Sequence, residues 1–593
     1  MKPDAPSRAL PVLRLYLVAV AVGIAAGLGA VVFRGLLGIL HNLLFLGRLS
    51  WTYDATLHTP PSPLGALVIA VPVLAALVVA VLVQNFAPEA KGHGVPEVMD
   101  AIHHNGGVIR PVVALIKALA SALSIGSGGA VGREGPIIQI GAAFGSALGQ
   151  WLRIPVWQRV TLIAAGAAGG IAATFNTPVG GMLFAVEITM QEVSARTLVP
   201  VAIATATATY LGRLFYGPHP SFVIPSFETP YFHLTNPWLL PLYVGLGLLL
   251  GVASVGYIRS LYAFEDFFER RVPGGYPVRH MLGMAAVGIL FYVLLRSTGH
   301  YYVEGIGYAT VQDVLTGTLD SAPFLLLLCL LKLVATSLTL GSGASGGIFS
   351  PGLFMGATLG AGYGHLVQRL LPGVPFSPPA FAVAGMAGLI GGSTGAALAA
   401  IVMIFEMTLD YDVIVPMTIT VALAYGIRRT LCPESIYSMK LVRRGRFVPD
   451  SLRANPHELL RAADVMNRFG TALPASSSLD QAVRMLSERA EIAWFLAVDG
   501  EGVAGAALRA EVLAARGERG GETRLGEIVH EDAVRVDPHT PLPQLLETLR
   551  ITPVSMALVV EAAAPLRADS VLGIVTKGEI ADALVQANAA FEG

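Results

Sequence analysis

Apolar residues dominate the first three quarters of the chain in long runs. Several runs approach the roughly 20 residues that a helix needs to cross a bilayer. Shorter runs, at 126–136 and 341–351, are interrupted by glycine and proline. A broken helix at membrane depth is tolerated only where it is buried in protein or lines a cavity. The pattern therefore predicts a polytopic, all-α membrane domain built around a buried site. The main runs are 15–39, 64–83, 239–255, 281–295, 324–340 and 413–424.

The patterning changes after residue 460. Amphipathic helices are predicted to begin at Ser478 and Thr540, since both residue types cap helix N-termini. Each helix is followed by two short apolar segments typical of strands. This alternation predicts a small α/β module of two similar units, 461–522 and 523–593. The predicted strands are 494–498, 503–507, 556–560 and 571–575.

Charge is spread unevenly along the chain. Charged residues make up 13% of the whole, against roughly a quarter in a typical soluble domain. Residues 451–593 carry 33 of the 79 charges, about 23% of their positions, compared with about 10% before them. The contrast predicts a membrane domain over 13–429 and a linker over 430–460 before the α/β module. A net charge of -1 gives no reason to expect a nucleic-acid partner.

Basic residues cluster directly after the last apolar run, at Lys440, Arg443, Arg444 and Arg446. Such clusters mark the cytoplasmic side of a membrane protein. Two cysteines are too few for a disulfide framework and fit a reduced compartment. We therefore predict an integral protein of the plasma or inner membrane whose C-terminal end faces the cytoplasm, with residues 1–12 as a short segment before the first membrane helix.

An internal repeat is the strongest architectural signal. Residues 116–145 align without gaps with residues 331–360, and the match includes lysines, Gly-Ser-Gly triplets and prolines at equivalent positions. A second alignment pairs 166–189 with 385–408. Paired helices broken by glycine and proline in two halves indicate a transporter-like site at the repeat interface, and the two halves are expected to be inverted. The matched pairs include Lys117 with Lys332, Pro136 with Pro351, and Glu187 with Glu406.

Three helix starts bracketed by glycine occur in the membrane domain: GHGVPE at 92–97, GREGP at 132–136 and GGIFSP at 346–351. Proline at the first turn is typical of a helix N-terminus. Each start offers unpaired N–H groups and the positive end of a helix dipole, which attract anions without a formal charge. Such partial charges can replace the hydration of an anion and still release it. The motifs predict an anion pathway.

The sequence offers no catalytic constellation. It contains no HExxH, GxSxG, CxxC or P-loop motif, and no acidic cluster suited to a divalent metal. A cation transporter would need pore-lining carboxylates, and only Glu134, Glu187 and Glu406 stand out within the apolar runs. We therefore expect neither an enzyme nor a metal or other cofactor in the membrane domain.

The three motifs, Tyr437 and the segment FNTPVGGMLFAVE at 175–187 together resemble the CLC family of chloride channels and chloride/proton antiporters. The resemblance covers roughly residues 13–445. It implies an inverted-repeat helical fold, a homodimer with one pore per subunit, and both termini in the cytoplasm. It also implies that chloride or a similar small anion is the transported ligand.

By this resemblance Glu134 is the gate: its carboxylate occupies an anion site when ionised and swings out when protonated. A local ion pair with Arg133 is the alternative role for this side chain. The backbone amides of Ile348 and Phe349 and the hydroxyl of Tyr437 would bind the central anion. The remaining predicted anion-binding residues are His93, Gly94, Arg133 and Gly135.

Two residues depart from the family pattern. His93 stands where many members have serine, and its N–H could donate to an anion. Ile188 stands where proton-coupled members usually have a second glutamate, one position after Glu187. Isoleucine cannot relay a proton, so the sequence favours passive conduction, with chloride/proton antiport as the alternative.

The C-terminal module resembles tandem CBS domains, which commonly bind adenine nucleotides. The family's Gly-x-x-Thr-x-x-Asp stretch corresponds to 573–579, with Thr576 and with Glu579 in place of aspartate. In the first unit Leu508 replaces the threonine. Nucleotide sensing through Thr576 and Glu579 and a purely structural role both remain open.

Overall fold

The computed structural model describes residues 9–190, 193–218, 222, 239–372, 377–446, 460–500, 502–530, 533–551, 556–561 and 566–592. The chain divides into two compact units, 1–452 and 453–593. The division falls within the predicted linker, whose residues 447–459 lie outside the described residues, as do residues 1–8 of the predicted N-terminal segment. The exact domain borders therefore remain a prediction.

The first unit is mainly helical in its described residues, and each of the six main apolar runs lies within or largely overlaps a helix, whereas 126–136 and 341–351 span the breaks between helices. A short π-helical turn, Ala185–Thr189, continues α7. The helices are α1 (Val12–Leu46), α2 (Ala70–Phe86), α3 (Val95–His104), α4 (Val112–Gly126), α5 (Glu134–Trp151), α6 (Val156–Phe175), α7 (Pro178–Phe184), α8 (Ala195–Tyr216), α9 (Leu240–Arg270), α10 (Tyr276–Thr298), α11 (Tyr308–Leu315), α12 (Ala322–Ser342), α13 (Phe349–Leu370), α14 (Pro378–Thr394), α15 (Ala397–Thr408), α16 (Ile414–Leu431) and α17 (Ser438–Val442).

Among the described residues, six helices are long and apolar enough to cross a bilayer: α1, α2 with its preceding turn, α8, α9, α10 and α12. Others, such as α4 and α15, are apolar but shorter than 18 residues. The mixture of long and short helices agrees with the predicted polytopic domain with broken helices.

The two halves are inverted relative to each other. Gly132 and Gly347, which the repeat places at equivalent positions, form an antiparallel bridge. The N–H of Gly132 donates to the carbonyl of Gly347 at 2.7 Å, and the N–H of Gly347 donates back at 2.6 Å. Reciprocal, antiparallel bonds between equivalent residues are what a two-fold axis between them produces. The predicted inverted repeat is thus confirmed at its centre.

Matched glycines allow close helix packing in both halves. A Cβ on Gly141 of α5 would lie 2.1 Å from the carbonyl oxygen of Gly166 on α6. A Cβ on Gly356 of α13 would lie 2.4 Å from the carbonyl oxygen of Gly385 on α14. Any larger side chain would force the backbones apart, which explains why both repeats keep glycine here.

The second unit contains two three-stranded sheets, ordered β1-β2-β3 and β4-β5-β6, each with one parallel and one antiparallel pairing. The predicted helix start at Ser478 is confirmed, since its side chain accepts from the N–H of Gln481 at 3.3 Å. The predicted strands are confirmed as well. The elements are α18 (Ala462–Val465), β1 (Gly470–Pro474), α19 (Leu479–Glu488), β2 (Trp494–Asp499), β3 (Gly502–Leu508), α20 (Arg509–Arg519), β4 (Val534–Val536), α21 (Leu542–Ile551), β5 (Met556–Val560), β6 (Val571–Thr576) and α22 (Lys577–Glu592).

The leading segment of each half packs against the other half. Ala462 and Val465 of α18 join the apolar core around α21 and β5. Leu525, in the short turn before β4, joins the core around α19 and β2. Trp494 of β2 and Met556 of β5 lie in a shared apolar layer between the sheets. The two halves of the α/β module therefore pack against each other through shared apolar cores.

Candidate anion site

The three glycine-bracketed helix starts meet at one place. The N–H of Gly92 donates to the carbonyl of Ala344 at 3.0 Å, and the N–H of Gly346 donates to the carbonyl of Gly92 at 3.3 Å. These bonds join the first motif to the third, as the Gly132 bridge joins the second to the third. The first and second motifs also touch, because a Cβ on Gly135 would lie 2.2 Å from the carbonyl oxygen of His93.

Two buried lysines hold the loops that precede α3 and α11. The ammonium group of Lys117 donates to the carbonyls of Ala90 and Gly92, at 3.0 and 2.7 Å. That of Lys332 donates to the carbonyls of Val303 and Gly305, at 2.9 and 2.8 Å. Both lysines are fully buried. They therefore position loop backbone rather than extend to the membrane surface.

The side chain of Glu134 lies at the start of α13. It is fully buried, and its carboxylate accepts from the hydroxyl of Tyr308 at 2.6 Å and from the N–H of Ser350 at 3.3 Å. The hydroxyl of Ser350 donates a further bond to it. Of the residues that the structure describes, Arg133 is not an ion-pair partner of this carboxylate. Glu134 thus occupies the electropositive end of a helix from the opposite repeat.

Tyr308 was not predicted from the sequence as a site residue. It is the first residue of α11 and follows Gly305-Ile306-Gly307, which parallels Gly92-His93-Gly94 before α3. Gly307 and Gly94 share a left-handed backbone, with φ of +84° and +85°. A comparison of these two G-x-G triplets, each close to a loop held by a repeat-equivalent lysine, would have identified α11 as a fourth converging helix start.

His93 lies beside Tyr437, with their ring centroids 5.8 Å apart. Only 4% of the His93 surface is exposed, and neither ring nitrogen has a hydrogen-bond partner among the described residues. Buried polar groups are normally paired. Unpaired nitrogens at this position leave donor capacity for an anion or for water.

The other predicted anion-binding residues surround the same junctions. Ile348 caps α13, Phe349 is its first residue, and the carbonyl of Ile348 accepts from the hydroxyl of Tyr257 at 2.9 Å. Gly94 caps α3, and Gly135 follows Glu134 on α5. Their roles as anion ligands remain predictions.

Arg133 precedes α5 and lies over the ring of Tyr308, with 5.5 Å between the guanidinium carbon and the ring centroid. Its side chain lines a cavity of about 210 Å³. It is buried, and its Nε has no partner among the described residues. The structure therefore separates Arg133 from the Glu134 carboxylate and directs it toward this cavity.

Glu187 and Glu406 cap helices of the opposite repeats. Glu187 accepts from the N–H groups of Leu398 and Ala399 at the start of α15, at 3.0 and 2.7 Å. Glu406 accepts from those of Val179 and Gly180 at the start of α7, at 3.1 and 2.7 Å. This exchange explains why the repeat matches the two glutamates. Ile188, next to Glu187, is buried.

In the second half of the α/β module, Thr576 and Glu579 contact each other. The carboxylate of Glu579 accepts from the N–H of Thr576 at 3.0 Å and from its hydroxyl. In the first half, Glu511 accepts from the N–H of Leu508 at 2.8 Å in the same way. Both glutamates therefore support the start of a helix. Nucleotide binding by Thr576 and Glu579 remains a prediction.

Comparison with known proteins agrees with this architecture. Residues 75–429 match the family model described as voltage gated chloride channel, and residues 525–586 match the CBS domain. The chain is 35% identical to a ClcB-like chloride channel protein of Ralstonia nicotianae, over 61% of this chain and 82% of that protein. It is 34% identical to an H(+)/Cl(-) exchange transporter ClcA of Vibrio parahaemolyticus, over 64% of this chain and 80% of that protein.

The fold also matches a solved structure. The crystal structure of a eukaryotic CLC transporter superimposes with a TM-score of 0.60 at 21% identity, covering 96% of this chain and 98% of that one. At that identity the likeness concerns the fold. Together with the family match over more than half of the sequence, the converging helix starts and the inverted repeat, it establishes that this chain is a membrane protein of the CLC family with a C-terminal CBS module.

Proposed function

We propose that this protein exchanges chloride for protons across a membrane, with Glu134 acting on both ions. The observation that carries the proposal is the position of the Glu134 carboxylate at the start of α13. Relatives named H(+)/Cl(-) exchange transporter, at 33–34% identity, support the coupled mode. Family membership supports anion transport itself.

The exchange follows from competition for one helix terminus. When ionised, Glu134 accepts bonds from Tyr308 and Ser350 and excludes an anion from them. Protonation removes its charge and thus its attraction to the dipole of α13. The neutral side chain then leaves, chloride takes its place, and the proton moves with the side chain. One carboxyl group thereby alternates between a bound anion and a carried proton.

Chloride would pause where the other helix starts converge. The N–H groups of Ile348 and Phe349, the Tyr437 hydroxyl and a ring N–H of His93 supply hydrogen bonds without a fixed charge. The glycines at 94 and 135 have no side chains, so the backbone can come close to the chloride ion. Dipoles of this kind bind an anion moderately, which permits release.

Passive chloride conduction is the second candidate, because of Ile188. An exchanger must deliver protons to Glu134 from the side of the membrane opposite to the one at which they leave. Ile188 cannot do this, and Glu187 is engaged in capping α15. Under the proposed exchange, water in the pathway carries the proton over this stretch. Without such water, the protein would conduct chloride alone.

Proteoliposomes distinguish these modes. With purified full-length protein and an imposed chloride gradient, exchange drives protons uphill, whereas passive conduction does not. Glu134→Gln should stop the proton movement and retain chloride flux. Glu406→Gln is the matched control, because the amide oxygen can still cap α7, and it should retain both fluxes. Absence of chloride-driven proton movement by the unmodified protein would rule out exchange.

We also propose the remaining features implied by the family: a homodimer, cytoplasmic termini, residence in the plasma or inner membrane, and regulation by the CBS module. The basic cluster after α16 supports the orientation. An adenine nucleotide is the ligand we propose to test at Thr576 and Glu579.

A further inference from the structure

Next to the proposed pathway lies a cavity of about 210 Å³. Three arginines line it: Arg34 of α1, Arg133 and Arg213 of α8. The ring of Tyr308 forms part of the wall. Its hydroxyl bonds to the gate carboxylate at 2.6 Å, so the cavity lies one side chain away from Glu134.

Contacts other than direct ion pairs hold these arginines among the described residues. Arg34 lies 4.0 Å above the ring of Tyr216, and Arg213 donates to the side-chain oxygen of Asn176 at 2.5 Å. Within the described part of the chain, no carboxylate oxygen lies within 4.0 Å of a guanidinium nitrogen of any of the three arginines. Asp54 also lines the cavity, accepts from the N–H and hydroxyl of Thr56, and acts electrostatically on Arg34. Three arginines against this one carboxylate leave an excess of positive charge in the lining.

Two buried polar atoms in the wall lack a partner among the described residues. One is Nε of Arg133, whose residue is 7% exposed, and the other is the hydroxyl of Thr209, whose residue is 4% exposed. Unpaired buried donors are costly. Both residues line the same cavity, so a single ligand with several acceptor atoms could satisfy them together after a small rotation of their side chains.

We propose that this cavity binds a tetrahedral oxyanion dianion of the sulfate or hydrogen-phosphate class. Guanidinium groups match oxyanions through paired N–H donors. Three full charges would retain a conducted halide too strongly, which separates this site from the uncharged helix termini of the pathway. A bound dianion covers Tyr308 and obstructs access to Glu134 from this side. The site thus inhibits chloride movement when occupied.

Direct binding tests the site independently of transport. Radiolabelled sulfate and the detergent-purified full chain are brought to equilibrium by dialysis. Saturable binding of one sulfate per chain is expected. Arg34→Gln and Arg213→Gln should each weaken it about tenfold or more, as expected for loss of a charged hydrogen-bond partner. Arg271→Gln removes an exposed arginine outside the cavity and is the control, with affinity unchanged.

Thr209→Val serves as a second variant of nearly equal shape, and weaker sulfate binding is expected from loss of the hydroxyl. Sulfate on both sides of the bilayer should also inhibit chloride efflux from proteoliposomes, and the variants that bind sulfate more weakly should need more of it for the same inhibition. Non-saturable binding, or equal affinity in the arginine variants and the control, would overturn the proposal. Because sulfate binding in detergent requires no ion coupling, a failure of proton exchange would not affect this outcome.

Discussion

At the residue scale, the site relies on polar groups that are buried and held by backbone. Glu134 faces a helix start rather than its neighbour Arg133, and Tyr308 completes its hydrogen bonds. His93 has two unpartnered ring nitrogens among the described residues. These arrangements yield two predictions about single side chains.

Chloride flux should rise as the pH falls and Glu134 becomes protonated. Under the proposed function, the ionised carboxylate blocks the start of α13 and the neutral one releases it. Glu134→Gln mimics the protonated form at every pH, so its flux should be at least as high as that of the unmodified protein and independent of pH. Initial chloride efflux from proteoliposomes, measured over a series of pH values for both proteins, tests this. Retained pH dependence in the variant would remove Glu134 from the gating role.

His93→Phe should weaken chloride binding about tenfold, because it keeps the ring volume and removes both nitrogens. The tenfold loss of chloride affinity corresponds to the loss of one hydrogen bond to a charged partner. His93→Asn, which keeps an N–H donor, should retain more affinity. Calorimetric titration of chloride into the purified protein measures both. Equal affinity in all three proteins would show that the imidazole does not bind the anion.

At the element scale, matched small residues and exchanged caps join the two repeats. Glycines permit α5 to approach α6 and α13 to approach α14, and each of two glutamates caps a helix of the opposite repeat. The same contacts recur on both sides of the Gly132–Gly347 bridge.

Gly141→Ala and Gly356→Ala should both lower the thermal unfolding temperature in detergent. In each case the new methyl group would meet a backbone carbonyl at 2.1 or 2.4 Å, and overpacking typically costs about 1–3 kcal/mol. Gly256→Ala in α9 is the control, since nothing lies within 4 Å of its Cβ position. Alanine there should leave the temperature unchanged or raise it slightly. Equal melting of all variants would contradict the packing argument.

At the scale of the whole molecule, a membrane unit precedes a CBS module whose halves exchange their leading segments. The predicted homodimer has a direct test. Light scattering of the protein in detergent, corrected for bound detergent, should give about twice the 62.0 kDa of one chain. A protein mass near that of one chain would contradict the prediction.

The comparisons also revise the balance between the two transport modes. Ile188 alone favours passive conduction, but relatives named as exchangers favour coupling. A single missing relay residue is weak evidence about mechanism, because water can occupy a pathway that no side chain bridges.

Much of the architecture was determined by the sequence alone. Apolar runs of bilayer length, a gapless repeat and glycine-proline helix starts are local or periodic signals, so they predicted the membrane helices, the duplication and the anion motifs. Helix α8 was not among the predicted runs, because its threonines and arginines dilute its apolar character.

Only the tertiary structure decided which groups meet. The contacts of Glu134 with Tyr308 and Ser350 join residues 174 and 216 positions apart, and no local pattern specifies such a pairing. The same origin holds for the caps formed by Glu187 and Glu406, for the ring nitrogens of His93 that lack partners among the described residues, and for the three-arginine cavity. They depend on how inverted halves pack, since hydrogen bonding and burial are properties of the assembled chain rather than of its segments.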